Sequence, residues 1–151
     1  MTAAEANPAG PVVVGIDGSE ASLNALLQAL REAEWRDVEL HVVHVLDVTP
    51  AVLHLAGDQT ITTRELAESD REEIWNLAQP VIEGAGVEVV RIERDGNPGK
   101  SLLAHAEEVG ASVLVVGPRG RGRVEKLFLG STAEEVVKSA TGDVLVVKTH
   151  P

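Results

Sequence analysis

Apolar positions fall into two alternating rhythms along the chain. Val12 to Ile16 is a continuous, largely β-branched run, the mark of a strand buried on both faces. Asp17, Gly18 and Ser19 form a turn, with Ser19 placed to cap a helix. Leu23, Leu26, Leu27 and Leu30 then recur at helical spacing. Val38 to Asp47 reads as a second strand, and Thr49 to Asp58, with Pro50 and Gly57, as a loop. Ile74, Leu77, Ala78 and Val81 share one face of a second helix whose other face is acidic, and Gly84 and Gly86 close it. Val87 to Glu93 alternates imperfectly, as an edge strand does. Asn97-Pro98 supplies an N-cap with proline at the first helical position, ahead of Leu102, Leu103, Ala106 and Val109. Val113 to Val116 is a fourth strand, Ala133, Val136, Val137 and Ala140 mark a fourth helix, and Val144 to Lys148 is the last strand. Strands and helices alternate, five and four, which predicts an α/β fold with a single doubly wound parallel sheet. Residues 1–10 read as a flexible tail and 11–151 as one domain.

Composition narrows the chemistry. With 151 residues and 44% hydrophobic content the chain suffices for one domain with a real core. Trp35, Trp75 and Phe128 are its only aromatics, so Val, Leu, Ile and Ala must fill that core. The absence of cysteine excludes disulfides, thiolate catalysis and thiolate metal sites. No apolar run is long enough to span a membrane. The start MTAAEANPAG lacks the pattern of a signal peptide, so the reading is a soluble cytoplasmic protein. A net charge of −11 argues against general nucleic-acid binding.

Against that background the segment from Ser112 to Thr132 stands out. The fourth strand runs into a loop carrying Gly117, Gly120, Gly122 and Gly130, and the loop runs into Ser131. Ser131 with Glu134 three residues on has the form of a capping box. Strand, glycine-rich turn and helix start together make a phosphate site, because glycines admit the backbone to an anion and exposed amides point at it. Arg119, Arg121, Arg123 and Lys126 set four positive charges against Glu125. Local reversal of an acidic chain's sign points to an anionic ligand. Thr132 and Ala133 offer further amides, while Arg121 and Arg123 read as exposed loop arginines.

The spacing Gly117-x2-Gly120-x9-Gly130-Ser131 resembles the nucleotide signature of the ATP-binding branch of the universal stress protein family. The opening VVVGIDGSEAS, the middle LHVVHVLD and the closing DVLVVK are similar to that family's blocks, so the likeness runs from Val12 to Lys148. It implies an adenine-nucleotide-binding, Rossmann-like sheet of order 3-2-1-4-5, which reverses between strands one and four. Ligands of such sheets sit at the carboxyl ends beside the reversal, where Asp17 and Gly117 follow their strands. The resemblance further implies that Asp17 lies beside the adenine or ribose, with Gly15 and Ile16 lining the pocket. It places the Val45 backbone at the adenine edge. Val116, Gly117, Arg119, Gly120, Gly130, Ser131, Thr132 and Ala133 would then surround the phosphates and ribose. ATP, with or without Mg2+, is the implied ligand, the role is nucleotide-dependent regulation in stress, and a homodimer through residues 144–148 is expected. A slow ATPase or self-phosphorylating protein, and a nucleotide-free dimeric interaction protein, are the alternatives. Two departures stand out: Pro118 where a small residue such as Ser is usual, and Asp143 where proline is common.

Other motifs reduce to structure. GNPGKS, residues 96–101, ends like a P-loop but has Arg94 where the first glycine belongs, so it reads as a helix cap. His41 and His44, three apart on a strand, point to opposite faces. His54, His105 and His150 stand isolated in sequence, and Asp47 reads as a strand-end residue. No residue is assigned a catalytic role, and no metal site is expected.

Overall fold

The computed structural model describes residues 9–47, 52–54, 60–120 and 129–148. Its elements are β1 (Val12–Ile16), α1 (Glu20–Arg36), β2 (Leu40–Leu46), β3 (Val52–His54), β4 (Thr60–Thr62), α2 (Thr63–Glu83), β5 (Val89–Asp95), α3 (Pro98–Val109), β6 (Val113–Val116), α4 (Ser131–Ser139) and β7 (Val144–Val146). Five strands form the main sheet in the order β5-β2-β1-β6-β7, all paired in parallel. This is the expected 3-2-1-4-5 arrangement. β1 lies at the centre, between β2 and β6, where the order reverses.

The two faces explain the two rhythms. Val12, Val14 and Val42 pack against Ala25, Leu26, Ala29 and Ala33 of α1 and against Ile74 and Ala78 of α2. Val13, Val43, Leu114 and Val116 pack on the other side against Leu102 of α3 and Ala133 and Val136 of α4. Neighbouring residues of β1 therefore serve opposite layers, so no polar position interrupts it. The edge strand β5 instead mixes half-buried and exposed residues.

Several expectations shift. α1 buries a stripe of alanines with Leu26 and Leu30, whereas Leu27 is exposed. Small side chains let the helix lie close to the sheet, so leucine spacing alone misjudged which face turns inward. The second strand begins at Leu40 rather than Val38, because Asp37 adopts the left-handed conformation (φ 55°) that ends α1. The third strand runs over Val89–Asp95 rather than 87–93, and β7 is shorter than 144–148. Part of the segment read as a loop, 49–58, is β3, which pairs antiparallel with β4. α2 continues through Pro80, whose missing amide falls in the last turn. Residues 1–8 of the expected tail lie outside the described residues.

Candidate functional site

The site begins where β1 ends. Ser19 caps α1, its Oγ accepting from the Ser22 amide at 3.1 Å, as its position before the leucine pattern predicts. The Asp17 amide donates to Ser22 Oγ at 3.2 Å, and that hydroxyl donates in turn to the Ser19 carbonyl at 3.0 Å. Asp17 Oδ1 accepts from the Ser19 amide at 2.9 Å. One carboxylate oxygen is thereby tied to its own turn, and Gly18, at φ 84°, makes the turn possible.

Across the crevice, β6 leads into the glycine loop. A methyl group on Gly117 would lie 3.0 Å from the backbone of Ala21, so this crossing point accepts no side chain. Pro118 is buried, and its carbonyl accepts from the Gly130 amide at 2.6 Å. Proline in place of a smaller residue thus loses an amide but keeps the carbonyl that joins the two ends of the loop. A methyl on Gly120 would lie 2.8 Å from Asp17 Oδ2. The two loops therefore meet, a hundred residues apart in sequence.

The helix after the loop corrects the expected capping box. Its N-cap is Gly130, with no side-chain cap, and Ser131 is the first helical residue. Glu134 does not reach back; its carboxylate pairs with Lys138 at 2.7 Å, which holds it below the usual carboxylate range. The physical reason is the Pro118–Gly130 bond, which fixes Gly130 in extended backbone one residue before the serine. The first intrahelical bond runs from the Glu134 amide to the Gly130 carbonyl at 2.9 Å. The amides of Ser131, Thr132 and Ala133 precede it and have no partner within the helix.

These elements enclose a cleft of about 340 Å³ at the carboxyl ends of β1, β2 and β6. Gly15, Ile16 and Asp17 line it from β1, and Val45 from β2. Val116, Gly117, Arg119 and Gly120 line it from β6 and its loop, and Gly130, Ser131, Thr132 and Ala133 from the start of α4. All twelve residues singled out in the sequence come together there. Arg121, Arg123, Lys126 and Glu125 lie outside the described residues; among those described, Arg119 is the positively charged residue lining the cleft.

Five further residues line it: Ser22, Val43, Asp47, Pro98 and Leu102. Val43 could have been found from Val45, since alternate strand residues share a face. Asp47 follows the carboxyl end of β2, as Asp17 does that of β1. Pro98 and Leu102 belong to α3. GNPGKS is a cap, with Asn97 Oδ1 accepting from the Lys100 amide at 2.9 Å, but its proline faces the cleft. Leu102 reaches the site because Gly15 has no side chain: a methyl there would lie 2.7 Å from Leu102 Cδ1. Nothing local in the sequence links these two residues.

The histidines do lie on opposite faces, and both are buried. His44 Nδ1 meets Glu93 at 3.0 Å, the Trp75 indole donates to the same carboxylate, and the Arg91 guanidinium lies 5.2 Å from the centre of the Trp75 ring. His41 Nδ1 lies 3.0 Å from His105 Nε2, so His105 is not isolated. Its partner is 64 residues away, beyond any local pattern. Among the described residues no group of three or more His, Asp or Glu side chains is placed to hold a metal ion, and no helix is long and apolar enough to cross a membrane.

The sequence model of the universal stress protein family matches residues 9–148. A universal stress protein of Methanocaldococcus jannaschii is 33% identical over 137 residues, covering 91% of this chain and 81% of that protein. Among solved structures, a universal stress protein from Archaeoglobus fulgidus in complex with dAMP superposes with a TM-score of 0.68 at 25% identity, covering 92% of this chain and 98% of that one. A second solved structure, of a universal stress protein in complex with cAMP, superposes with a TM-score of 0.63 at 26% identity, covering 93% of this chain and 98% of that one. With the sheet order, the glycine loop and these likenesses in agreement, this chain belongs to the universal stress protein family.

Proposed function

We propose that the protein binds ATP in the cleft at the carboxyl ends of β1, β2 and β6 and acts as a nucleotide-dependent regulatory module of the stress response. The observation that carries this reading is the set of three helix-start amides, Ser131 to Ala133, opening on a cleft that Gly120 and Gly130 leave bare. Such amides favour an anion through their hydrogen atoms and the helix dipole together. Arg119 adds a full positive charge. Asp17, fixed through Oδ1, keeps a second oxygen for a ribose hydroxyl, and the Val45 main chain serves the adenine edge. The cleft volume lies at the lower end of the roughly 300–1,000 Å³ typical of small-molecule sites. Support also comes from the two relatives whose complexes hold dAMP and cAMP. Both are adenine nucleotides, which favours the base assignment and leaves the phosphate number to experiment.

Where Mg2+ accompanies the triphosphate, Asp17 and Asp47 are the carboxylates that line the cleft among the described residues, and the ion would offset their repulsion of the phosphates. The β7 strand has one strand neighbour among the described residues, and its apolar free edge suits pairing with a second copy of the chain. A light-scattering mass of two chains would support that homodimer and a mass of one chain would refute it. The nucleotide itself is tested by denaturing the purified protein and identifying what is released, followed by calorimetric titration with ATP. Incubation with magnesium and ATP then distinguishes holding from turnover: the regulatory reading expects neither sustained phosphate release nor phosphorylation of Ser131 or Thr132.

A further inference from the structure

We infer that His41 and His105 form a proton-sensitive strut that sets how closely the α3 wall of the cleft stands to the sheet, so that acidification loosens a bound nucleotide. The inference rests on the nucleotide reading above and adds a regulator to it. His41 lies on β2 and His105 on α3, both buried, with facing ring nitrogens 3.0 Å apart. His41 Nε2 also lies 3.1 Å from Glu39 Oε2. A carboxylate can only accept, so Nε2 of neutral His41 carries its hydrogen and Nδ1 is left as an acceptor. His105 Nε2 must then donate. The buried contact holds this way with no net charge on either ring.

Protons change it in two steps. One added proton can be shared, with charged His41 donating from both nitrogens, to Glu39 and to a His105 of the other tautomer. A second proton sets N–H against N–H and charge against charge at the same distance, and the rings must part. Desolvation by burial is the largest cause that holds His105 below the ordinary histidine value of 6.5, with the neighbouring His41 and Arg94 acting in the same direction and Glu108 opposing. Arg94, on β5, is itself paired with Glu108 of α3 at 3.0 Å. From β1 and β6, Val13, Leu114 and Val116 face α3 in the same apolar layer. From α4, Glu135 sits against Gly99 at the far end of α3.

The mechanical link is short. Leu102 is three residues before His105, hence on the same face of α3, and is seated on Gly15 inside the cleft. Pro98, one turn earlier, lines the same cleft. Parting of the two imidazoles moves the helix that supplies both. The sign follows from linkage: a histidine with a lowered folded-state value contributes stability above the unfolded value of 6.5, and that contribution is lost as pH falls below it.

The test titrates the whole protein with ATP by calorimetry at about pH 7.5 and about pH 5.5, on either side of the ordinary histidine value of 6.5. It compares wild type with His105→Gln, whose amide can still donate to His41. The variant keeps the protonation of ATP itself and every other side chain, so the difference isolates the His41–His105 contact. The expected result is a loss of affinity on acidification several-fold larger in wild type than in the variant. Equal pH dependence in the two proteins overturns the inference. Should His105→Gln fail to fold, His41→Gln serves in its place. If ATP does not bind at either pH, the nucleotide reading fails on its own, and the strut is read from the Leu102 methyl and Gly15 amide resonances of the ligand-free protein. A pH-dependent movement of these resonances centred below the ordinary histidine value in wild type, absent in the variant, sustains it; no difference overturns it.

Discussion

At Gly120 one methyl group separates an open cleft from a blocked contact. The added carbon would stand 2.8 Å from Asp17 Oδ2, so Gly120→Ala must displace either the carboxylate or the loop. Because Asp17 is tied to its own turn, the loop is the part that gives. We expect ATP affinity to fall by about tenfold, the worth of one or two misplaced hydrogen bonds, with the melting temperature nearly unchanged. Calorimetric titration beside a thermal melt reads both. Gly15→Ala acts on stability too: its methyl would meet Leu102 Cδ1 at 2.7 Å inside a filled layer, and overpacking costs roughly 1–3 kcal/mol. Denaturant unfolding should show that loss. At this scale the sequence was uneven. Glycines of the loop announced themselves by spacing, since a phosphate site needs bare backbone at set intervals. The reason for Gly15 lay on α3, 87 residues on, and the partner of His105 lay on β2; contacts made only by the fold leave no local trace.

Helix α4 carries the clearest element-scale prediction. Its first residue, Ser131, is exposed and follows Gly130 at ψ 166°, an extended conformation compatible with a following proline. Ser131→Pro therefore suits the first helical position while deleting one orphan amide. We expect stability to stay within about 0.5 kcal/mol of wild type, as for most surface changes, and ATP binding to weaken about two- to tenfold. Ser131→Ala, which removes only the hydroxyl, should bind nearly as wild type. Weakening by both to the same degree would assign the role to the hydroxyl instead. The strand–loop–helix series was legible because hydrophobic rhythm changes sharply at each boundary. The cap was misplaced by one residue because serine followed by glutamate satisfies a local rule. The Pro118–Gly130 bond that decides between Gly130 and Ser131 closes across 12 residues. The β3–β4 pair was hidden by Pro50 and Gly57, which read as turn signals whether or not a short strand lies between them.

For the molecule as a whole, topology converts a chain of modest motifs into one site. Parallel order 3-2-1-4-5 was available from the alternation of elements together with the family likeness, and its reversal beside β1 predicts where a ligand sits. The charge balance sharpens the question, because a chain of net charge −11 has no general attraction for a polyanion. Binding must come from directed groups, so it should show only weak dependence on salt compared with a basic surface. A ligand held by the folded form alone also stabilises it, by about 2.7 kcal/mol at a hundredfold excess over the dissociation constant. For a domain of this size that raises the melting temperature by roughly 5–10 °C. Nucleotide binding in the cleft is decided by a thermal melt of the purified, nucleotide-stripped protein with saturating Mg-ATP, repeated on Gly120→Ala. Wild type should melt several degrees higher and the variant only slightly higher; no rise in wild type, with calorimetry showing no heat of binding, would rule out nucleotide binding in this cleft.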